Sequence, residues 1–308
     1  MNLGAIPLFR FRGIPVQLHC SWLVVGAIEV MWRSGSYGHW LWNVAEYILL
    51  FTIVLLHEFG HAFATRQVGG SVERILLWPL GGVARVRPPQ RPLAQLWALL
   101  AGPLVNLALA VPALALWFIL PESLIGEDGT HALTIFIVIN VALFLFNMLP
   151  IYPLDGGQVL RSLLWLVIGR ERSLLIAAGL GLVTSIGGGL AAAIYLGDYW
   201  LALIGIYAAW QSWQAIKMGR AQLALVSLPT HPVARCPACG EAPPAGPIMR
   251  CKNGHPVTPY DTNPPGSCGF CDAIITSVPC IHCHASHSPA DAVRVRAQRA
   301  GAPAPGEG

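Results

Sequence analysis

Residues 53–62 read Ile53-Val54-Leu55-Leu56-His57-Glu58-Phe59-Gly60-His61-Ala62. Two histidines four residues apart, with a glutamate after the first, lie in a run apolar enough to cross a membrane. An Asp, Lys or Arg at the centre of a membrane helix costs about 2.5 to 3.5 kcal/mol on insertion scales. Three ionisable groups in such a place need something to offset them. On a helix His57 and His61 are one turn apart and project from one face. Both imidazoles can then reach a single ion, and H-E-x-x-H spacing suits zinc. Glu58 is offset by about 100° and can meet a water beside the ion rather than the ion itself.

The surrounding chain is mostly apolar. It has 308 residues, 55% hydrophobic and 11% charged, against about 25% charged in a soluble domain. Its mean hydropathy is +0.57. Most of it is expected to meet lipid. Six segments are long and apolar enough to span: 15–32, 40–65, 93–120, 132–149, 174–196 and 199–218. The first follows Arg10 and Arg12 but is long for a signal peptide, and no Ala-x-Ala-like site follows it. It reads as an uncleaved membrane helix. The last two are joined by a short turn at Gly197-Asp198 and should form a hairpin. Residues 72–86 differ. Two β-prone runs flank Pro79-Leu80-Gly81-Gly82, which reads as a β-hairpin. The expected fold class is an all-α polytopic membrane protein: about six transmembrane helices, a short membrane-associated β-hairpin and a small C-terminal zinc-ribbon module.

Charge orients these spans. With the N-terminus inside, the inner segments hold Arg10, Arg12, Arg66, Arg74, Arg85, Arg87, Arg91, Arg161, Arg170, Arg172, Lys217 and Arg220, and the outer loops hold Arg33 alone. The positive-inside rule then puts both termini in the cytoplasm of a bacterial-type membrane. His57 lies about 25 Å along the second span, inside the bilayer but displaced toward the cytoplasmic face. The net charge of +4 is too modest to argue for nucleic acid.

A catalytic zinc commonly takes three protein ligands. The candidate third ligand is Asp155, in Asn147-Met148-Leu149-Pro150-Ile151-Tyr152-Pro153-Leu154-Asp155-Gly156-Gly157. Two prolines and two glycines disfavour a continuous helix there. The competing role for Asp155 is to cap the helix that follows. The fourth span runs inward and brings Asp155 to the depth of the histidines, which favours the ligand.

Taken together, these motifs resemble the site-2 protease family of intramembrane zinc metalloproteases. The resemblance rests on His57-Glu58-Phe59-Gly60-His61 and the Asn147–Gly157 stretch. Ala101-Gly102-Pro103-Leu104-Val105-Asn106 and the Gly81-Gly82 hairpin match further family features, and the whole covers residues 10–220. The resemblance implies a zinc held by His57, His61 and Asp155, with Glu58 activating water. It implies that Asn147 positions substrate or polarises its carbonyl. A helical substrate must unwind before its carbonyls can be attacked. The 72–86 hairpin, with Gly81 and Gly82, is expected to capture the unwound chain by strand addition.

Of eight cysteines, seven lie after residue 235. They form Cys236-x-x-Cys239, Cys251-x-x-x-His255, Cys268-x-x-Cys271 and Cys280-x-x-Cys283, enough ligands for two tetrahedral zincs. The Cys236-Pro-Ala-Cys239-Gly240 knuckle resembles zinc ribbons. A cytoplasmic location argues against disulfides. The knuckles can pair consecutively or interleave. His282, His284 and His287 are expected at the surface. The domain reading is 1–218 transmembrane metalloprotease domain, 219–235 linker, 236–287 cytoplasmic zinc-ribbon-like domain and 288–308 disordered tail. Arg235, Arg250 and Lys252 form no dense basic patch, so a cytosolic protein partner is expected there before nucleic acid.

The function expected is a zinc metalloendopeptidase that hydrolyses a peptide bond within or near the transmembrane segment of single-span membrane proteins. It would use one catalytic and two structural zincs. The alternative is an inactive membrane scaffold whose ribbon binds partners. An intact Glu58 argues against that, because a structural site needs no general base. A metal transporter would need polar residues through the outer half of the spans, which offers few.

Overall fold

The computed structural model describes residues 4–32, 38–78, 81–281, 283 and 285–293. Residues 33–37, Pro79, Leu80, His282, His284 and residues 294–308 fall outside them. The chain forms two compact units, Met1–Ile216 and Lys217–Gly308.

The first unit opens with strands β1 (Ala5–Phe11) and β2 (Ile14–His19), followed by helix α1 (Ser21–Trp32). The expected first span is thus a strand and a 12-residue helix. A helix of that length rises about 18 Å, short of a hydrocarbon core of about 30 Å. The reason is a period of two hidden inside the apolar run: Ile14 and Val16 are buried on one face of β2. Arg12 and Gly13, both at positive φ, make the tight turn that pairs β1 with β2.

Helix α2 (Trp40–Gln67) comes next, then β3 (Ser71–Trp78) and β4 (Gly81–Arg87). The expected hairpin is therefore present but is half of a larger sheet. β2 runs parallel to β3, pairing Val16 with Ile75, and gives the order β1-β2-β3-β4. Ile14, Val16, Ile75 and Leu77 pack on Val54, Leu55, Phe59 and Ala62 of α2. The sheet covers the part of α2 that carries the histidines, and β4 is left as its edge.

Helices α3 (Pro92–Ile119), α4 (Glu122–Asn147), α5 (Asp155–Ile168), α6 (Arg170–Ala191) and α7 (Tyr199–Val226) complete the helices of this part of the chain. A π-helical turn, Ala192–Leu196, extends α6. Among the described residues four helices are long and apolar enough to cross a membrane: α2, α3, α4 and α6 with its extension. The expected sixth span lies in α7, which is not one of the four. Gln211, Ser212, Gln214 and Lys217 dilute its apolar run. Asp198 accepts from the amides of Trp200 and Leu201, 3.0 Å each, and caps α7 directly after the α6 extension. Gly189 and Gly205 let the α6–α7 hairpin close: a Cβ on Gly205 would meet Gly189 Cα at 2.8 Å.

In the second unit two short ribbons recur, β5 (Met249–Arg250) with β6 (Pro256–Val257), and β7 (Val278–Pro279) with β8 (Ser286–His287). Three expectations change here. Helix α7 runs to Val226, past the boundary expected at 218. His287 is buried beside Tyr260, its Nε2 3.2 Å from the phenol oxygen, rather than at the surface. Residues 289–293 are helical with Ala292 fully buried, so the start of the expected disordered tail packs on the unit's core.

Candidate metal centre and active site

Helix α2 delivers His57 and His61 from one buried face, with their Nε2 atoms 3.1 Å apart. Asp155 Oδ2 lies 3.3 Å from each of those nitrogens. Tetrahedral zinc with bonds of about 2.0 to 2.1 Å requires ligand atoms about 3.3 Å apart. The three donors match that spacing on every edge, and together they form one of the clusters able to hold an ion. Asp155 is the first residue of α5, and the residue at the cap position is Leu154. The carboxylate makes no cap bond and turns to the histidines instead. The preceding loop folds back tightly over the start of α5. A Cβ on Gly156 or Gly157 would run into the backbone of Met148, Leu149 and Ile151.

The other ring nitrogens are held as well. His57 Nδ1 lies 2.6 Å from Asn106 Oδ1, and His61 Nδ1 lies 2.8 Å from the Ala98 carbonyl oxygen. Both partners belong to α3 and both accept. Each ring then carries its proton on Nδ1 and leaves the Nε2 lone pair free for an ion, the usual arrangement of ligating histidines. Helix α3 comes this close because of two glycines. A Cβ on Gly60 of α2 would sit 2.6 Å from the Ala101 carbonyl, and one on Gly102 would overlap both imidazoles.

Glu58 points to the sheet edge, and Ala84 N–H of β4 donates to its Oε2 at 2.8 Å. The backbone of Gly82 lies against the same carboxylate, with no room for a side chain. Asn147, the last residue of α4, donates Nδ2–H to the Leu143 carbonyl at 3.0 Å. A cavity of about 660 Å³ joins these groups: His57, Glu58, His61, Asp155 and Asn147 all line it, facing Gly82, Ala84 and Val86. Gly81 pairs with Trp78 at the end of the hairpin. The alternate residues 82, 84 and 86 face the cavity because side chains in a strand alternate.

Asn106 appears in the sequence only inside a motif, and its contact with His57 was not foreseen. The signal available was a lone amide in an apolar span, four residues after Gly102 and so on the same helix face. The Ala98 carbonyl has no sequence signal at all.

In the second unit the knuckles pair in a nested way, Cys236 and Cys239 with Cys280 and Cys283, and Cys251 and His255 with Cys268 and Cys271. The Sγ pairs Cys236–Cys283, Cys239–Cys280 and Cys251–Cys271 are each 3.7 Å apart, and Cys251 Sγ lies 3.6 Å from His255 Nδ1. Zinc–sulfur bonds of about 2.3 Å require an edge of about 3.8 Å. The donors fit closed, four-ligand zinc sites. Amide donors favour thiolates there. The Ala273 N–H and then His255 bring the Cys271 thiol from 9.0 down to about 6. At Cys236 burial pushes upward, but the amides of Cys239 and Ala238 prevail and bring it down to about 7.

Comparison with known proteins finds similarity over part of the chain. The model of peptidase family M50 matches residues 45–128 and 122–187. The chain is 33% identical over 178 residues to a zinc metalloprotease of Methanocaldococcus jannaschii, covering 58% of this chain and 50% of that protein. It is 34% identical over 236 residues to Rip3 of Mycobacterium tuberculosis, covering 67% of this chain and 57% of that protein. The chain thus spans about half the length of the curated relatives it matches. The solved site-2 protease from Methanocaldococcus jannaschii superposes with a TM-score of 0.50 at 27% identity, covering 69% of this chain and 95% of that one. The histidine motif, the Asp155 stretch and the sheet-covered α2 thus lie in a chain that is similar to peptidase family M50 and to a solved site-2 protease.

Proposed function

We propose that the chain is an intramembrane zinc endopeptidase that hydrolyses a peptide bond within or beside the membrane-spanning segment of single-span proteins. One observation carries this reading. A three-donor centre at zinc spacing joins two histidines of a helix long and apolar enough to cross a membrane to Asp155 of α5, next to a glutamate, and opens on a cavity walled by a sheet edge. His57, His61 and Asp155 would hold the ion. Bound zinc supplies the Lewis acidity that acidifies water and polarises the scissile carbonyl. Glu58 takes the proton of the attacking water and returns it to the leaving nitrogen as the C–N bond breaks. Asn147 uses one amide hydrogen on Leu143, and its second is available to the carbonyl oxygen as that atom gains charge.

The edge of β4 presents the substrate. A residue's N–H and C=O share one side of a strand, alternating along it. Since Ala84 N–H turns away from β3 to Glu58, Gly82 and Val86 turn the same way. An unwound segment pairs with this row as an added strand. It competes with Glu58 for Ala84 N–H, so docking also releases the carboxylate for proton transfer. A second cavity of about 740 Å³, with apolar walls, adjoins the first and shares Phe146, Pro153, Leu154 and Tyr207 with it. It suits the part of the substrate that stays helical and apolar.

Two further zincs are structural and fold the second unit, which is too small to rely on its own core. The basic bias of the loops puts this unit and both termini in the cytoplasm, where it serves as a docking module for a protein partner. Acid should empty it. Cys271 is lowered from 9.0 to about 6, so its contribution as thiolate is present above about 9 and fades as pH falls through 6. With Cys236 brought down to about 7 as well, chelator-accessible zinc is expected to rise as pH falls from 7 to 5. A metal indicator dye reads this, and a flat profile counts against thiolate ligation.

The activity is tested with the full-length protein in detergent, zinc and a synthetic single-span helix. Mass spectrometry should find a zinc-dependent cut near one end of the span; its absence overturns the reading. Ala84→Pro tests the edge. Proline is tolerated where an N–H faces away from its neighbour strand, so the sheet should persist. Losing one transition-state hydrogen bond of about 1.4 to 3 kcal/mol lowers kcat/KM about ten- to hundredfold. Unchanged cleavage would remove strand addition from the mechanism.

A further inference from the structure

Asn106 of α3 and Asn140 of α4 are each completely buried within spans. Their bonds run in one direction. The Phe136 carbonyl can only accept, so Asn140 must give it Nδ2–H, at 2.8 Å. That turns Asn140 Oδ1 toward Asn106, which answers with its own Nδ2–H at 3.1 Å. Asn106 then faces His57 Nδ1 with its oxygen, at 2.6 Å. An oxygen there admits only a protonated Nδ1, and the lone pair is left on Nε2, the atom beside Asp155. Two amide orientations and one imidazole tautomer thus follow from a single backbone carbonyl at the far end. His61 needs no such chain, since its Nδ1 meets the Ala98 carbonyl directly.

We propose that Asn140 is a positioning residue for the metal centre: acting through Asn106, it locks His57 in the tautomer that offers Nε2 to the ion. It rests on the zinc reading above. Without Asn140, nothing sets the Asn106 amide. The flipped amide presents N–H to Nδ1, which favours the tautomer protonated on Nε2, and that tautomer cannot ligate.

The test is zinc affinity by chelator competition on the full chain, whose cysteines are the same in every variant. His57→Ala sets the floor. If it loses no zinc relative to wild type, the zinc reading itself fails. Asn140→Leu is expected to weaken zinc binding about ten- to a hundredfold, the range seen when partners behind metal ligands are removed. Asn106→Asp combined with Asn140→Leu should restore it to within about threefold, because a carboxylate accepts from Nδ1 in either orientation. A merely structural asparagine gives the opposite pattern: the double variant stays as weak as Asn140→Leu, and the proposal falls. It falls too if Asn140→Leu binds zinc like wild type. A measurement on the unaltered protein stands apart from any folding defect. Selective ¹⁵N labelling of histidine in the full chain, with zinc kept on the cysteine clusters and removed from the His57 centre alone, assigned with His57→Ala, should show His57 protonated on Nδ1. An Nε2-protonated ring overturns the proposal.

Discussion

Glu58→Gln is expected to keep its zinc and lose hydrolysis, by a factor of about 10² to 10⁴ in kcat, the usual contribution of a general base. That range corresponds to about 2.7 to 5.4 kcal/mol of barrier. The geometry makes the substitution clean. Glutamine has the same shape, and its Oε1 can still accept from Ala84 N–H, the bond now made at 2.8 Å. The tight contact with Gly82 tolerates nothing larger, and glutamine is no larger. His57, His61 and Asp155 are untouched, so the ion stays. Only the ability to take up a proton goes. The measurement pairs zinc content with single-turnover cleavage of a synthetic membrane helix in the same preparation. Cleavage within about tenfold of wild type, with zinc retained, would take the base role away from Glu58. Loss of zinc and of cleavage together would instead point to a structural part for Glu58 in the centre.

The metal centre shows which parts of such a protein its sequence can reveal. His57 and His61 are legible because both sit on one helix, where four residues fix a common face. Asp155 is legible because prolines and glycines mark the break that frees it from a span. Its partners, by contrast, are chosen through space. Nothing local to Asn106, Asn140 or Ala98 says that α3 and α4 pass behind His57 and His61, because that depends on Gly60 and Gly102 letting helices approach. The same holds in the second unit. Each knuckle's spacing is local and visible, while the nesting of Cys236 and Cys239 with Cys280 and Cys283 is set by the whole chain path. The N-terminal strands were hidden for another reason. Averaging hydropathy over a window merges the alternation of Ile14 and Val16 with the continuous run of α1, and the sum resembles a span. What it concealed matters to function, because β2 is the strand that anchors the β3–β4 hairpin on α2.

Gly102→Ala should weaken the catalytic zinc about five- to 150-fold, the equivalent of about 1 to 3 kcal/mol of overpacking, and cleavage should fall with it. A single methyl has this effect because nothing around it can yield. The added Cβ would overlap His61 Nε2 and His57 Nε2, the two ligand atoms themselves. Rotating the rings away breaks the bonds of Nδ1 to Asn106 and to the Ala98 carbonyl, both shorter than 3 Å. Backing α3 away breaks the same bonds, since Asn106 and Ala98 belong to that helix. Overpacking in a core costs about 1 to 3 kcal/mol, and the folded chain can avoid that strain by letting the metal go. Folding should therefore survive where metal binding weakens. Gly179→Ala is the control: a Cβ there meets no atom within 4 Å, and in a helix interior alanine is about 0.5 to 1 kcal/mol better than glycine. Zinc content, chelator competition and thermal melting of the two variants separate the outcomes. If Gly102→Ala binds zinc as tightly as Gly179→Ala, then α3 is not held against the histidines, and the closeness of α2 and α3 cannot be what shapes the centre.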